Sequence, residues 1–395
     1  MPRVRAKSDP PAIASTVRYV PPLTGIRALA ALLVLGLHAD QNVPTGALSV
    51  FPFLGRGYLG VDFFFVLSGY IITHVYLASL AEPSRNAIQI FLWHRFIRLY
   101  PVHVTVLTAL VALICLVRAA GIPLNNPQEW RMSEIPWQLT LLHAWGVLGK
   151  PGWNAPSWSI SAEWFAYLWF PLLAPILVLV RDRLFAFLIA AAALAATAFA
   201  FSAADWSLNT WVGAPALTRV FGEFVCGAAL CRAVALSRKP VHPNGDRLGV
   251  LAFAAFLLGA SFDLPDFALV ALLALTILGA ALAQSYLAAF LGSGVMVWLG
   301  EVSYSIYMVH FPVLLVIRRL WEHLRFPNWA TPAKVLAFAA SIGLVIALAA
   351  LLFYAVERPA RMRLRDRLGR LVPPTSSSYS GCSKPVKELE IEKRH

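Results

Sequence analysis

Apolar runs of about twenty residues, separated by short basic or Pro-rich blocks, recur along the whole chain. Runs of that length cross a bilayer core as helices, because each helix satisfies its own backbone polar groups where no water is at hand. Hydrophobic residues make up 59% of the chain and charged residues 13%. A soluble domain is nearer a quarter charged, so an ordinary globular enzyme is excluded. The net charge of +13 suggests nucleic acid at first sight. The Lys and Arg residues instead fall in the blocks between apolar runs, the pattern that sets membrane orientation, so no nucleic-acid partner is expected. The Arg-rich tail suits anionic lipid. Four cysteines (Cys115, Cys226, Cys231, Cys382) show no disulfide or metal spacing, and no metal is expected.

The pattern predicts an all-α membrane protein of about ten transmembrane helices. They fall near 23–40, 58–80, 101–118, 158–180, 184–201, 216–236, 247–262, 266–283, 303–320 and 333–354. Residues 1–22 read as a disordered basic arm without a cleavable signal, 23–360 as the membrane domain, and 361–395 as a basic, largely disordered tail. The 81–100 connection is polar and then amphipathic. The 119–157 loop is Pro- and Trp-rich, and its apolar piece 136–149 is too short to span, so an interfacial or re-entrant segment is expected. With ten spans, 23 of the 33 Lys and Arg lie on the side of the two termini and eight on the other. That bias places both termini in the cytoplasm.

The first span carries two ionisable residues, Arg27 and His38. Eleven residues at roughly 100° each leave them about 20° out of register, on one face and about 16 Å apart. Intramembrane ionisable groups usually face a bundle interior or a water-filled cavity. His38 is therefore a candidate general base. Asp62, opening the second span at the same membrane face, and Glu163, one turn into the fourth, are candidates to orient it. Arg95 and Arg98, three apart on one helix face, suit phosphate. Ser68 and Gly69 offer a small surface in mid-span. Ser303, Tyr307 and His310 form a polar stripe on a late span, with Tyr304 beside it. Arg219 and Glu223 are spaced to pair with each other.

These residues also carry a resemblance. Leu23-Thr24-Gly25-Ile26-Arg27 with His38 is similar to the Arg-x10-His signature of the acyltransferase type 3 family of integral membrane acyltransferases. Gly60-Val61-Asp62-Phe63-Phe64 and Leu67-Ser68-Gly69-Tyr70 resemble its second-helix motif. The stretch from His94 to Pro101 resembles its Arg-Arg-x-x-Arg loop, with His94 in place of the first Arg. Pro156-Ser157-Trp158-Ser159 with Glu163, the block from Gly300 to Pro312, and Glu357 with Pro359 follow in the family's order.

The resemblance implies an O-acyltransferase that takes an acyl group, acetyl by the family's habit, from cytosolic acyl-CoA. The acceptor is a hydroxyl of a surface or secreted glycan: an exopolysaccharide, lipopolysaccharide or lipo-oligosaccharide. The expected location is the cell inner membrane, in a stand-alone type without the extra C-terminal domain of some relatives. In this reading His38 is the base, oriented by Asp62 or Glu163, and Arg27 stabilises developing negative charge or guides the donor. Arg95 and Arg98 hold the CoA phosphates, and Ser68, Gly69, Ser303, Tyr304 and His310 line the donor path. A secondary transporter or flippase for a glycan or small anion would use the same intramembrane charges. It should show a repeated pattern of broken helices in both halves, and the sequence has none.

Overall fold

A computed structural model describes residues 20–371 except 44, 125, 238–243 and 325–329. The expected N-terminal arm, save its last residues, and the end of the tail lie outside the described residues. Among the described residues the secondary structure is all helical, without strands. Ten long helices follow one another: α1 (Pro21–Asn42), α2 (Gly60–Tyr76), α3 (Arg85–Ala119), α4 (Trp158–Leu179), α5 (Arg183–Ala203), α6 (Ala214–Ala235), α7 (Gly245–Ser261), α8 (Asp266–Leu282), α9 (Gly294–His323) and α10 (Thr331–Leu352). A widened turn, Phe353–Glu357, leads into a basic helix, α11 (Arg358–Leu371). The first part of the expected tail is therefore helical.

Eight helical segments are long and apolar enough to cross a membrane. The other two long helices, α7 and α8, have 17 residues each, about 26 Å by helical rise, a little short of the ~30 Å hydrocarbon core. Gly249 and Gly279 let them touch backbone to backbone: a Cβ on Gly279 would lie 2.2 Å from the Gly249 nitrogen. Among the described residues of 120–157 no helix is long enough to span. The segment holds the short helix Ile135–Leu139 and a widened turn, His143–Val147.

Two elements differ from expectation. The 81–100 connection and the third span are one helix of 35 residues, α3, capped by Ser84, whose Oγ accepts the Ala87 N–H at 3.1 Å. Pro101, at the expected start of the third span, sits inside α3, where it costs the ladder one N–H donor without ending it. Likewise α9 begins at Gly294, nine residues before the expected 303, and continues through Pro312.

The buried centre is α1. Of its apolar window 72% is buried, against 22% for α5 and for the segment containing α10, which present their sides outward. Small residues let the neighbours of α1 approach it closely, as membrane helices do in the absence of a hydrophobic drive between them. A Cβ on Gly300 of α9 would fall 1.9 Å from the Thr24 carbonyl oxygen, and one on Gly60 of α2 would fall 2.4 Å from that of Ala30. Gly57, just before α2, backs onto Leu33. The hairpin is thus antiparallel, and its register sets the depth of Asp62.

Candidate active site

A cavity of about 120 Å³ lies between α1, α2, α3, α4 and α9. Its polar lining is Arg27 from α1, Ser68 from α2, Arg95 and Arg98 from α3, Ser159, Glu163 and Tyr167 from α4, and Tyr304 and Tyr307 from α9. The remaining walls are apolar, among them Phe64, Phe65 and Ile160. Helical spacing puts Arg95 and Arg98 on one face, and Ser159 and Glu163 on another.

Three guanidinium groups dominate the electrostatics. Among the described residues Arg27 has no hydrogen bond or ion pair, although it lies in the fields of Glu163, Arg95 and Arg98. Arg95 donates from Nη2 to the Tyr76 hydroxyl at 3.1 Å and sits over the Tyr76 ring, while its buried Nε has no partner. Arg98 pairs through Nη1 with Glu357, and its buried Nη2 is unpartnered. Against these cations stands Glu163, whose Oε1 accepts the Tyr167 hydroxyl at 2.6 Å. Since that hydroxyl donates to Glu163, the Ser68 hydroxyl at 3.2 Å must donate to it. Unsatisfied buried donors are rare in native structures, and two of them, Arg95 Nε and Arg98 Nη2, belong to residues that line this cavity. Such a lining suits an anion with several oxygen acceptors.

Glu357 does more than end the last span. It is buried, and it accepts from Arg98, from Arg361 of α11 and from the Ser305 hydroxyl at 2.5 Å. The widened turn that precedes α11 carries it to this position. One carboxylate therefore ties α3, α9 and α11 together and holds one edge of the cavity's basic cluster.

Neither expected carboxylate lies against His38. Gly60 backs onto Ala30, eight residues before His38, or about 12 Å along the axis. Asp62 lies farther still along α2, and it is wholly buried. Its two oxygens accept from Arg219 of α6, Nε at 2.6 Å and Nη2 at 2.5 Å. Arg219 also donates to the Leu208 carbonyl at 2.8 Å, and its guanidinium carbon stands 5.3 Å from the centre of the Trp158 ring. The expected Arg219–Glu223 pair is only a 3.9 Å contact. Asp62 and Arg219 thus anchor Trp158, next to Ser159 at the start of α4. Sequence reasoning missed this arrangement.

His38 is held by main chain instead. Its Nδ1 lies 2.9 Å from the Val34 carbonyl oxygen, which can only accept, so Nδ1 carries a proton, and in the neutral ring Nε2 is the acceptor. The ring is partly exposed, with its centre 5.0 Å from that of His310. His310 is buried, 5.6 Å from the Tyr307 ring. Neither histidine lines the cavity, and Tyr307 forms the wall between it and His310.

Gly69 and Ser303, expected on the donor path, do not line this cavity. Gly69 faces α6, where a Cβ would lie 1.9 Å from the Phe224 carbonyl oxygen, so its smallness serves packing. Ser303 is buried and donates to the Gly300 carbonyl one turn back, at 2.8 Å.

A family profile described as "Acyltransferase domain" matches residues 22–354, most of the chain. The chain belongs to this acyltransferase family. It is 30% identical over 384 residues to "Acyltransferase MdmB" of Streptomyces mycarofaciens, covering 88% of this chain and 93% of that protein. It is 26% identical over 373 residues to "Putative O-acetyltransferase SACOL0978" of Staphylococcus aureus (strain COL), and the match spans 58% of that relative's length. A shorter match, 34% over 133 residues, is to "Protein 2 in picA locus" of Rhizobium radiobacter. No solved structure matches the chain. With its apolar helices, the family makes this acyltransferase a multi-pass membrane enzyme.

Proposed function

We propose that this acyltransferase moves an acyl group, acetyl by the family's habit, from cytosolic acyl-CoA to a hydroxyl of a surface or secreted glycan. The observation that carries the reading is the convergence of Arg27, Arg95 and Arg98, with their unpartnered donors, on one cavity inside the helix bundle. CoA presents phosphates to guanidinium groups and a long, mostly neutral arm to the walls beyond. All ten long helices cross or enter the inner membrane, with both termini in the cytoplasm, as the Lys and Arg bias favours. Arg95 and Arg98 then lie toward the cytoplasmic side, where the donor enters, and His38 lies toward the outer side, where a glycan approaches.

The donor phosphates engage Arg95 and Arg98, and the arm passes Arg27 and Ser68 toward Tyr307. The Nε2 of His38, left unprotonated by the Val34 bond, takes the acceptor hydroxyl's proton as the oxygen attacks the thioester carbonyl. Glu163 and Tyr167 hold Ser68 in place and balance part of the cationic field. When the C–S bond breaks, the CoA thiolate leaves with the proton that His38 removed.

CoA titrated calorimetrically into detergent-solubilised protein tests the donor site. Arg27→Gln and Arg95→Gln are each expected to weaken CoA binding about tenfold or more, since a charge-assisted hydrogen bond is worth about 1.5–3 kcal/mol. The affinity of the parent is expected to fall with added salt. Unchanged affinity in both variants would remove CoA from this cavity.

A further inference from the structure

Both imidazoles near Tyr307 are fixed in the same way. His310 Nδ1 lies 2.6 Å from the Tyr307 carbonyl oxygen and so carries its proton, as His38 Nδ1 does toward Val34. In its neutral form each ring therefore has Nε2 as its free acceptor. That of His310 is buried and has no hydrogen-bond partner among the described residues. The ring centres are 5.0 Å apart, so the two imidazoles are immediate neighbours. A buried acceptor left empty beside a proton-removing group calls for an explanation in function.

We propose that His310 is the proton partner of His38: the proton that His38 takes from the acceptor hydroxyl is handed to, or shared with, His310 Nε2. The inference rests on His38 being the base in the reading above. The O–H bond breaks as the His38 N–H bond forms, and the oxygen adds to the thioester carbon. The proton then sits on one or other Nε2, so a single positive charge is spread over two rings. Like-charge repulsion between two buried groups keeps a second proton off the pair. When the C–S bond breaks, the same proton leaves with the thiolate, and both rings return to their starting state. His38, partly exposed, meets the acceptor, while His310, buried behind it, receives the proton out of reach of water.

The test compares steady-state transfer from acetyl-CoA by the parent, His310→Gln, His310→Ala and His38→Gln, each checked for folding by thermal unfolding in detergent. His310→Gln and His310→Ala are expected to lower kcat at least about tenfold with the KM for acetyl-CoA within about twofold, and added imidazole is expected to restore part of the loss in His310→Ala. Retention of kcat within about twofold by His310→Gln, or a loss confined to KM, would overturn the proposal. Loss in His38→Gln alone would leave the base assignment standing and remove His310. Full activity in both would remove the base assignment itself. Should the His310 variants not fold, nitrogen NMR of histidine-labelled parent reads the tautomers directly. Both rings are expected to be protonated at Nδ1 only, and a proton resident on either Nε2 in the neutral state would refute the hand-off.

Discussion

Purified protein carrying His38→Ala is expected to transfer acyl groups about 10²–10⁴ times more slowly than the parent, the range typical of a lost general base. The loss should fall on kcat, because the ring stands outside the cavity proposed above for the donor, where the three arginines lie. His38 is partly exposed and its hydrogen bond is to its own helix, so truncation should cost little stability. Rates measured at saturating acetyl-CoA, beside CoA affinities measured in parallel, check both parts. A folded His38→Ala variant working at the parental rate would end the base assignment.

The second large effect concerns stability. Asp62→Asn or Arg219→Leu leaves one partner of a fully buried, bidentate ion pair uncompensated. Breaking such a pair from one side costs about 3–5 kcal/mol. Asp62→Leu combined with Arg219→Met and Glu223→Gln should recover part of that loss, because the carboxylate 3.9 Å from Arg219 is neutralised with the pair and no unpaired charge remains. Unfolding of the detergent-solubilised variants reads the difference. Activity should follow, since the pair holds Trp158 beside Ser159 at the cavity wall. Single variants as stable as the parent would show that the pair is not what anchors α4.

Local rules made much of this legible in the sequence. Apolar runs marked the long helices, and helical spacing placed Arg95 with Arg98 and Ser159 with Glu163. Arg27, Ser68, Arg95, Arg98, Glu163 and Tyr304 all reach one cavity. What stayed hidden depends on register and on long-range pairing. Arg219 has an acid four residues on, and a local rule chooses it, yet the fork is taken by Asp62, 157 residues away in the chain. The depth of Asp62 follows from Gly60 seating on Ala30, a contact that no single-helix pattern encodes. Gly69 and Ser303 read as ligand contacts because small and polar residues serve packing and binding alike. The polar start of 81–100 separated it from the span at 101–118, whereas α3 runs through both and through Pro101. The role of Glu357 was masked by its place at the end of a span, where an acid needs no explanation until Arg98 and Ser305 are seen around it.

The most direct test of the central claim supplies purified protein with labelled acetyl-CoA and a panel of hydroxyl-bearing glycans. Acyl transfer predicts one CoA thiol released for each alkali-labile label gained by an acceptor, with both signals lowered together in Arg95→Gln at subsaturating donor and in His38→Ala. Vesicles containing the protein that move a glycan or anion across the bilayer, while no acceptor gains label and no thiol is released, would contradict it.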